Sequence, residues 1–103
     1  MSTEANELMT DQRLHAVVHG RVQGVNFRYY TVRKANELGL KGWVRNRWDG
    51  TVEALAEGPR TSLDRFVSWL RQGPSSASVV QVDVTWAEAT GEFGDFRVTY
   101  TAS

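Results

Sequence analysis

His19-Gly20-Arg21-Val22-Gln23-Gly24-Val25-Asn26-Phe27-Arg28 joins two segments with different hydrophobic periods. Before it, Leu14, Ala16 and Val18 alternate with His15, Val17 and His19, the two-residue period of a half-buried strand over residues 13–20. After it, Phe27, Thr31, Ala35 and Leu38 recur at helical spacing, with Val32 widening the stripe. Gly39 followed by Leu40 is a helix stop, a left-handed residue and then an apolar one that packs back. The stretch is therefore a loop that a strand enters and a helix leaves. Glycines at 20 and 24 let its backbone take positive φ and turn N–H groups to one side, a concavity that suits an anion. Arg28 falls in the first helical turn, where the dipole makes a cation unfavourable unless an anion sits between them. Loop, dipole and guanidinium together point to a phosphate-sized anion.

Working outward, Lys41–Trp48 and Thr51–Glu57 read as two strands of a hairpin joined by Asp49-Gly50, a pair suited to a two-residue turn with positive φ at both positions. Val44, Asn46 and Trp48 share one face of the first arm, opposite Trp43, Arg45 and Arg47. If the apolar pair marks the covered face, Asn46 is a polar side chain on it. Gly58-Pro59 ends the hairpin, and Leu63, Phe66, Val67 and Leu70 mark one face of a second helix that Gly73-Pro74 stops. After a polar connector, Val80, Val82, Val84 and Trp86 alternate with Gln81, Asp83 and Thr85 as a fourth strand. Phe96, Val98 and Tyr100 alternate with Arg97 and Thr99 as a short edge strand, and Thr101–Ser103 form a tail. The order predicts an α+β, ferredoxin-like split βαβ sandwich: βαββαβ plus the edge strand, an antiparallel sheet with both helices on one face. Such a fold carries many unrelated functions, so function has to come from the loop and its neighbours.

With 103 residues, the chain supports one hydrophobic core, and the expected organisation is a flexible tail over residues 1–12 and a single domain over 13–103. Residues 1–12 lack the basic start and apolar middle of a signal peptide, and no apolar run approaches a membrane span. The absence of cysteine excludes disulfides and thiolate chemistry and fits a reducing compartment, so a cytoplasmic location is the default. The formal net charge is zero, but Arg21, Arg28, Arg33, Lys34, Lys41, Arg45 and Arg47 face only Glu37 across residues 21–47. Local positive charge of this kind attracts small anions or nucleic acid.

The loop has neither a Gly-Lys-Ser/Thr ending nor a G-x-G-x-x-G run, which argues against the common nucleotide fingerprints. Gly20, Val22, Gln23, Gly24, Val25, Phe27 and Arg28 instead match the first signature of the acylphosphatase family, G-x-V-Q-G-V-x-F-R. Gly42-Trp43-Val44-Arg45-Asn46, then Gly50, Val52 and Gly58, are similar to its second. The resemblance runs from Arg13 to Tyr100. It implies metal-independent hydrolysis of the mixed anhydride of a carboxylate and phosphate, with no cofactor. It assigns phosphate binding to Arg28 and the loop Gly20, Arg21, Val22, Gln23, Gly24, Val25 and Asn26, and water positioning to Asn46. The expected partners are a small acyl phosphate and, as product-like ligands, inorganic phosphate or sulfate, in a monomer without membrane contact.

Chemistry supports these assignments separately. An acyl phosphate has a good leaving group, so a protein needs mainly to hold the dianion and place the water. Arg28 offers a bidentate fork, and Asn46 both accepts and donates, so its amide suits either water positioning or a backbone bond near the hairpin. Gln23 and Asn26 are suited to shaping the loop through backbone hydrogen bonds. His15 and His19 fit structural roles on the strand, Trp43, Trp48, Tyr29 and Tyr30 fit packing, and Arg45 and Arg47 are solvated hairpin charges. Two rival readings stand: an RNA-binding sheet, which lacks the aromatic motif after Trp43, and a non-catalytic anion sensor.

Overall fold

A computed structural model describes residues 10–102. The elements are β1 (Asp11–Arg21), α1 (Phe27–Glu37), β2 (Lys41–Asn46), β3 (Val52–Pro59), α2 (Arg60–Gln72), β4 (Ser78–Glu88) and β5 (Phe96–Val98). The sheet order is β4-β1-β3-β2-β5. The first four strands pair antiparallel, as the split βαβ order requires, whereas β5 lies parallel to β2 and makes the five-stranded sheet mixed. Beyond β5 the chain keeps running along β2: Thr99 N–H donates to Val44 O, Ala102 N–H to Asn46 O, and Trp48 N–H to Ala102 O. The end expected to be a tail is thus pinned through Ala102, while Tyr100 is outside any strand and 91% exposed. At the other end, Asp11 and Gln12 belong to β1, so the expected tail reaches two residues too far; residues 1–9 lie outside the described residues.

The alternation of the strands separates an apolar face from a polar one. Leu14, Ala16, Val18, Val44, Val52, Ala54 and Ala56 point under the helices and meet Phe27 and Ala35 of α1 and Leu63, Phe66 and Leu70 of α2. Phe66 packs nearly edge-on against Phe96 of β5, ring centroids 5.9 Å apart, so the short fifth strand is anchored in the same core. Burying aromatic rings at this point contributes roughly 2–3 kcal/mol each.

Two local expectations need correction. Val80 is not inward with Val82 and Val84: the β1–β4 register shifts between His19 and Gly20, so Val79 takes the inward place and Val80 is 81% exposed. A bulge of this kind flips the phase of a strand by one residue. Of the Asp49-Gly50 pair, only Gly50 has positive φ (91°). Gly50 N–H donates to Arg47 O and Arg47 N–H to Thr51 O, the pattern of a three-residue loop with glycine at its left-handed position rather than a two-residue turn. Asp49 Oδ1 closes the loop by accepting from Thr51 N–H and Oγ1. Trp48 consequently sits in the loop, 77% exposed, and does not mark the covered face with Val44.

Candidate active site

Between β1 and α1 the backbone runs through residues 22–26 without regular structure. Gly24 (φ 72°) and Asn26 (φ 61°, ψ 24°) are left-handed, and Asn26 caps α1 without a side-chain hydrogen bond. Asparagine tolerates this conformation better than most residues. Positive φ at alternate residues turns successive N–H groups toward one concave side. Among the described residues, none accepts a hydrogen bond from the N–H groups of Gln23, Gly24, Val25 or Asn26. The loop is held from both flanks instead. Gln23 Nε2 donates to Arg47 O (2.7 Å) and Thr51 O (2.8 Å), and Ser76 Oγ donates to Val25 O (2.9 Å).

Beside the loop lies a cleft of ≈ 670 Å³ lined by Val22, Gly24, Asn26, Phe27, Arg28 and Tyr29, with Val32, Asn46, Phe96, Arg97 and Val98 completing its walls. Arg28 and Asn46 therefore face one space although eighteen positions separate them in the chain. Arg28 has no hydrogen-bond or ion-pair partner among the described residues, and Asn46 Oδ1 is buried without a donor. A buried carbonyl-type oxygen left without a donor costs about 1–3 kcal/mol, a cost tolerated at sites built for a ligand or water. The cleft has two arginines in its lining and no carboxylate; Arg97 is matched by Asp95 through bonds of 3.0 and 2.6 Å.

The opposite face of the sheet holds much of the remaining charge. Arg45 stacks over Trp43, 4.5 Å from the ring centroid, and donates to Glu53 Oε1 (2.7 Å), while His15 Nε2 lies 2.6 Å from Glu53 Oε2. Burial would push the Glu53 carboxyl up, but the bonds from His15 and Arg45 outweigh it and hold it below its ordinary range. His19 pairs with Asp83 at 2.8 Å. Glu57 is 5% exposed and accepts from Arg13 Nε, Thr90 N–H and Gly91 N–H, fastening the β4–β5 connector to β3. Burial alone would raise the Glu57 carboxyl; the Thr90 N–H, Arg13 and Gly91 N–H together hold it below its ordinary value.

A family model for acylphosphatase matches residues 14–98. The chain belongs to the acylphosphatase family. It is 48% identical over 92 residues to the acylphosphatase of Pelotomaculum thermopropionicum, covering 89% of this chain and all of that one. It is 54% identical over 85 residues to that of Acaryochloris marina, covering 82% of this chain and 90% of that one. The crystal structure of acylphosphatase from Bacillus subtilis superposes with a TM-score of 0.84 at 39% identity, covering 86% of this chain and 99% of that chain.

Within this acylphosphatase fold, the cleft gathers Val22, Gly24, Asn26, Arg28 and Asn46 of the residues singled out from sequence. Gly20 and Arg21 stand apart as the last residues of β1, paired with Val79 and Ser78 of β4. Gln23 and Val25 do not line the cleft; Gln23 bonds the hairpin backbone and Val25 is buried in the core. His15 and His19 lie on the far face, and Arg45 and Arg47 pair with Glu53 and Asp49. Phe96, Arg97 and Val98 were not legible as cleft residues, because only the parallel docking of β5 on β2 brings them there. Tyr29, expected with Tyr30 to serve packing, lines the cleft instead and is largely exposed. Among the described residues, no helix is long and apolar enough to cross a membrane.

Proposed function

We propose that this member of the acylphosphatase family, a hydrolase of acyl phosphates, binds the substrate phosphate between Arg28 and the loop N–H groups and attacks it with a water held by Asn46. The observation that carries the reading is the shared cleft: an arginine without a partner, a buried amide oxygen without a donor, and a loop with N–H groups unspent inside the protein. Arg28 donates through two nitrogens to two phosphate oxygens, a geometry a lysine cannot reproduce. The loop N–H groups from Val22 to Asn26 surround the remaining oxygens and stabilise charge that shifts onto them as the transition state forms.

Asn46 Oδ1 accepts a hydrogen from the attacking water and orients its lone pair toward phosphorus, in line with the leaving carboxylate. The new P–O bond forms as the bond between phosphorus and the acyl oxygen breaks, and the electron pair of that bond leaves on the carboxylate. The water's proton passes to a phosphate oxygen of the substrate itself. No general acid is needed, because a carboxylate is a weak base and leaves unprotonated. The apolar walls from Phe27, Val32, Phe96 and Val98 accommodate the acyl end.

The test is benzoyl phosphate hydrolysis in the presence of a chelator, comparing the unmodified chain with Arg28→Gln and Asn46→Ala. Arg28→Gln is expected to lower kcat/KM by about 10²–10³, the effect of removing one transition-state donor, and to weaken inhibition by inorganic phosphate. Asn46→Ala is expected to lower kcat with little change in phosphate inhibition. Activity that survives both substitutions sinks the mechanism, and activity abolished by the chelator sinks its independence of metal.

A further inference from the structure

Among the described residues, Gln23 is the one loop residue whose side chain hydrogen-bonds the β2–β3 hairpin, which carries Asn46. Both of its amide hydrogens are used, one on Arg47 O and one on Thr51 O, the two carbonyls at the neck of the β2–β3 hairpin. Those carbonyls already accept from Gly50 N–H and Arg47 N–H, so the hairpin closes without Gln23. The other tie on the loop, Ser76 Oγ to Val25 O, reaches the connector between α2 and β4 and no part of the hairpin. Gln23 is flanked by Val22 and Gly24 on the cleft, and its acceptor Arg47 directly follows Asn46.

We infer that Gln23 is a positioning residue for hydrolysis, acting through Asn46: its two-hydrogen clamp sets the distance between the phosphate held by the loop and the water held by the hairpin. This rests on the roles proposed above for Arg28 and Asn46. The clamp needs two donors on one planar nitrogen at the end of a three-bond reach. Glutamate supplies none when ionised, methionine none at all, and asparagine stops one methylene short. Because in-line attack depends on sub-ångström placement, a loosened clamp falls on the chemical step, and a displacement near 1 Å is enough for about a 10²-fold loss. Phosphate affinity, which depends on Arg28 and the loop N–H groups, is largely spared.

The experiment is a double-mutant cycle on full-length protein with benzoyl phosphate as substrate and inorganic phosphate as competing ligand. Gln23→Met is expected to lower kcat about 10- to 100-fold while the inhibition constant for phosphate changes less than about threefold. In the Asn46→Ala background, the same substitution is expected to cost less than about twofold, because the group it positions has gone. A full loss in both backgrounds, or a rise in the phosphate inhibition constant that matches the fall in kcat, overturns the inference and leaves the roles of Arg28 and Asn46 standing. An Asn46→Ala variant as active as the unmodified chain overturns the underlying mechanism and this inference with it. Should Gln23→Met fail to fold, Gln23→Asn keeps the amide on a shorter stem and carries the same cycle to the same outcomes.

Discussion

Replacing Gly20 with alanine is expected to damage stability much more than chemistry, although Gly20 opens the family signature. Its φ of 127° lies where L side chains are strained, and a Cβ there would stand 2.1 Å from Ser78 O, with Val80 N at 3.0 Å. Both contacts are backbone atoms of β4 at the register shift, so neither swings aside as a flexible side chain would. Backbone strain of about 1–3 kcal/mol adds to an overpacking cost of about 1–3 kcal/mol. A total loss of about 3 kcal/mol is a large fraction of the roughly 5–15 kcal/mol that holds such a domain together. Gly24→Ala is the matched control: its φ is 72° and nothing lies within 4 Å of an added Cβ, so only about 1–2 kcal/mol of left-handed strain applies. Urea unfolding followed by tryptophan fluorescence separates the two. At a slope of about 1–3 kcal/mol per molar urea, 3 kcal/mol lowers the midpoint by at least about 1 M. In the residual folded fraction, Gly20→Ala should keep its affinity for phosphate, whereas Gly24→Ala, whose backbone lines the cleft, should lose some. Equal midpoints for the two variants refute the claim that β4 dictates glycine at position 20.

Glu57→Gln is expected to cost about 1.5–3 kcal/mol at neutral pH, because a neutral amide replaces the carboxylate that accepts from Arg13 and two connector N–H groups, while Arg13 keeps its ion pair with Glu92. The folded carboxyl lies below its ordinary value of 4.5, so its contribution is complete above about pH 4.5 and fades as pH falls further. The gap between the variant and the unmodified chain should therefore narrow on acidification; a gap that stays constant between pH 7 and pH 3 would count against the assignment. Phe66→Ala should cost about 3–5 kcal/mol and also loosen Phe96 on the cleft wall, read as a rise in KM for benzoyl phosphate at a temperature where the variant remains folded. Asp95→Asn releases Arg97 beside the cleft and should raise kcat/KM a few-fold at low salt, an advantage that must vanish at high salt if it is electrostatic.

Local patterns conveyed most of the fold, and the departures from them have long-range causes. Alternation fixed β1, β2 and β3, and the stripe Leu63, Phe66, Leu70 fixed α2, because each face meets one uniform environment. Val80 broke the pattern because β1 and β4 shift register at Gly20, a property of the pair and not of either strand. Asp49-Gly50 resembled a two-residue turn because the sequence does not show that Thr51 bonds back to Asp49 and Arg47. At the site, Arg28 and Asn46 stood out as a charge unfavourable to its helix and an amide on an apolar face. The cleft wall at Phe96–Val98 had no such mark, since those residues acquire their role only where β5 docks on β2.

The neutral total charge of the chain and the cationic cleft are reconciled by strand alternation. On β2, Val44 and Asn46 turn toward the helices while Arg45 turns away, and on β3 it is Glu53 and Glu57 that turn away. Every carboxylate of these central strands is thereby placed on the far face, tied to Arg45, His15 or Arg13, and none lines the cleft. The separation matters energetically. A carboxylate about 8 Å from a bound phosphate repels it by about 2 kcal/mol per unit charge at an effective dielectric near 20, roughly a 30-fold loss in affinity. Reversing the side-chain alternation of β3 would bring Glu53 to the helix side and replace an attractive site by a repulsive one. The same alternation that buries Val52, Ala54 and Ala56 thus keeps the anion site free of competing negative charge, so core packing and substrate electrostatics select one register together.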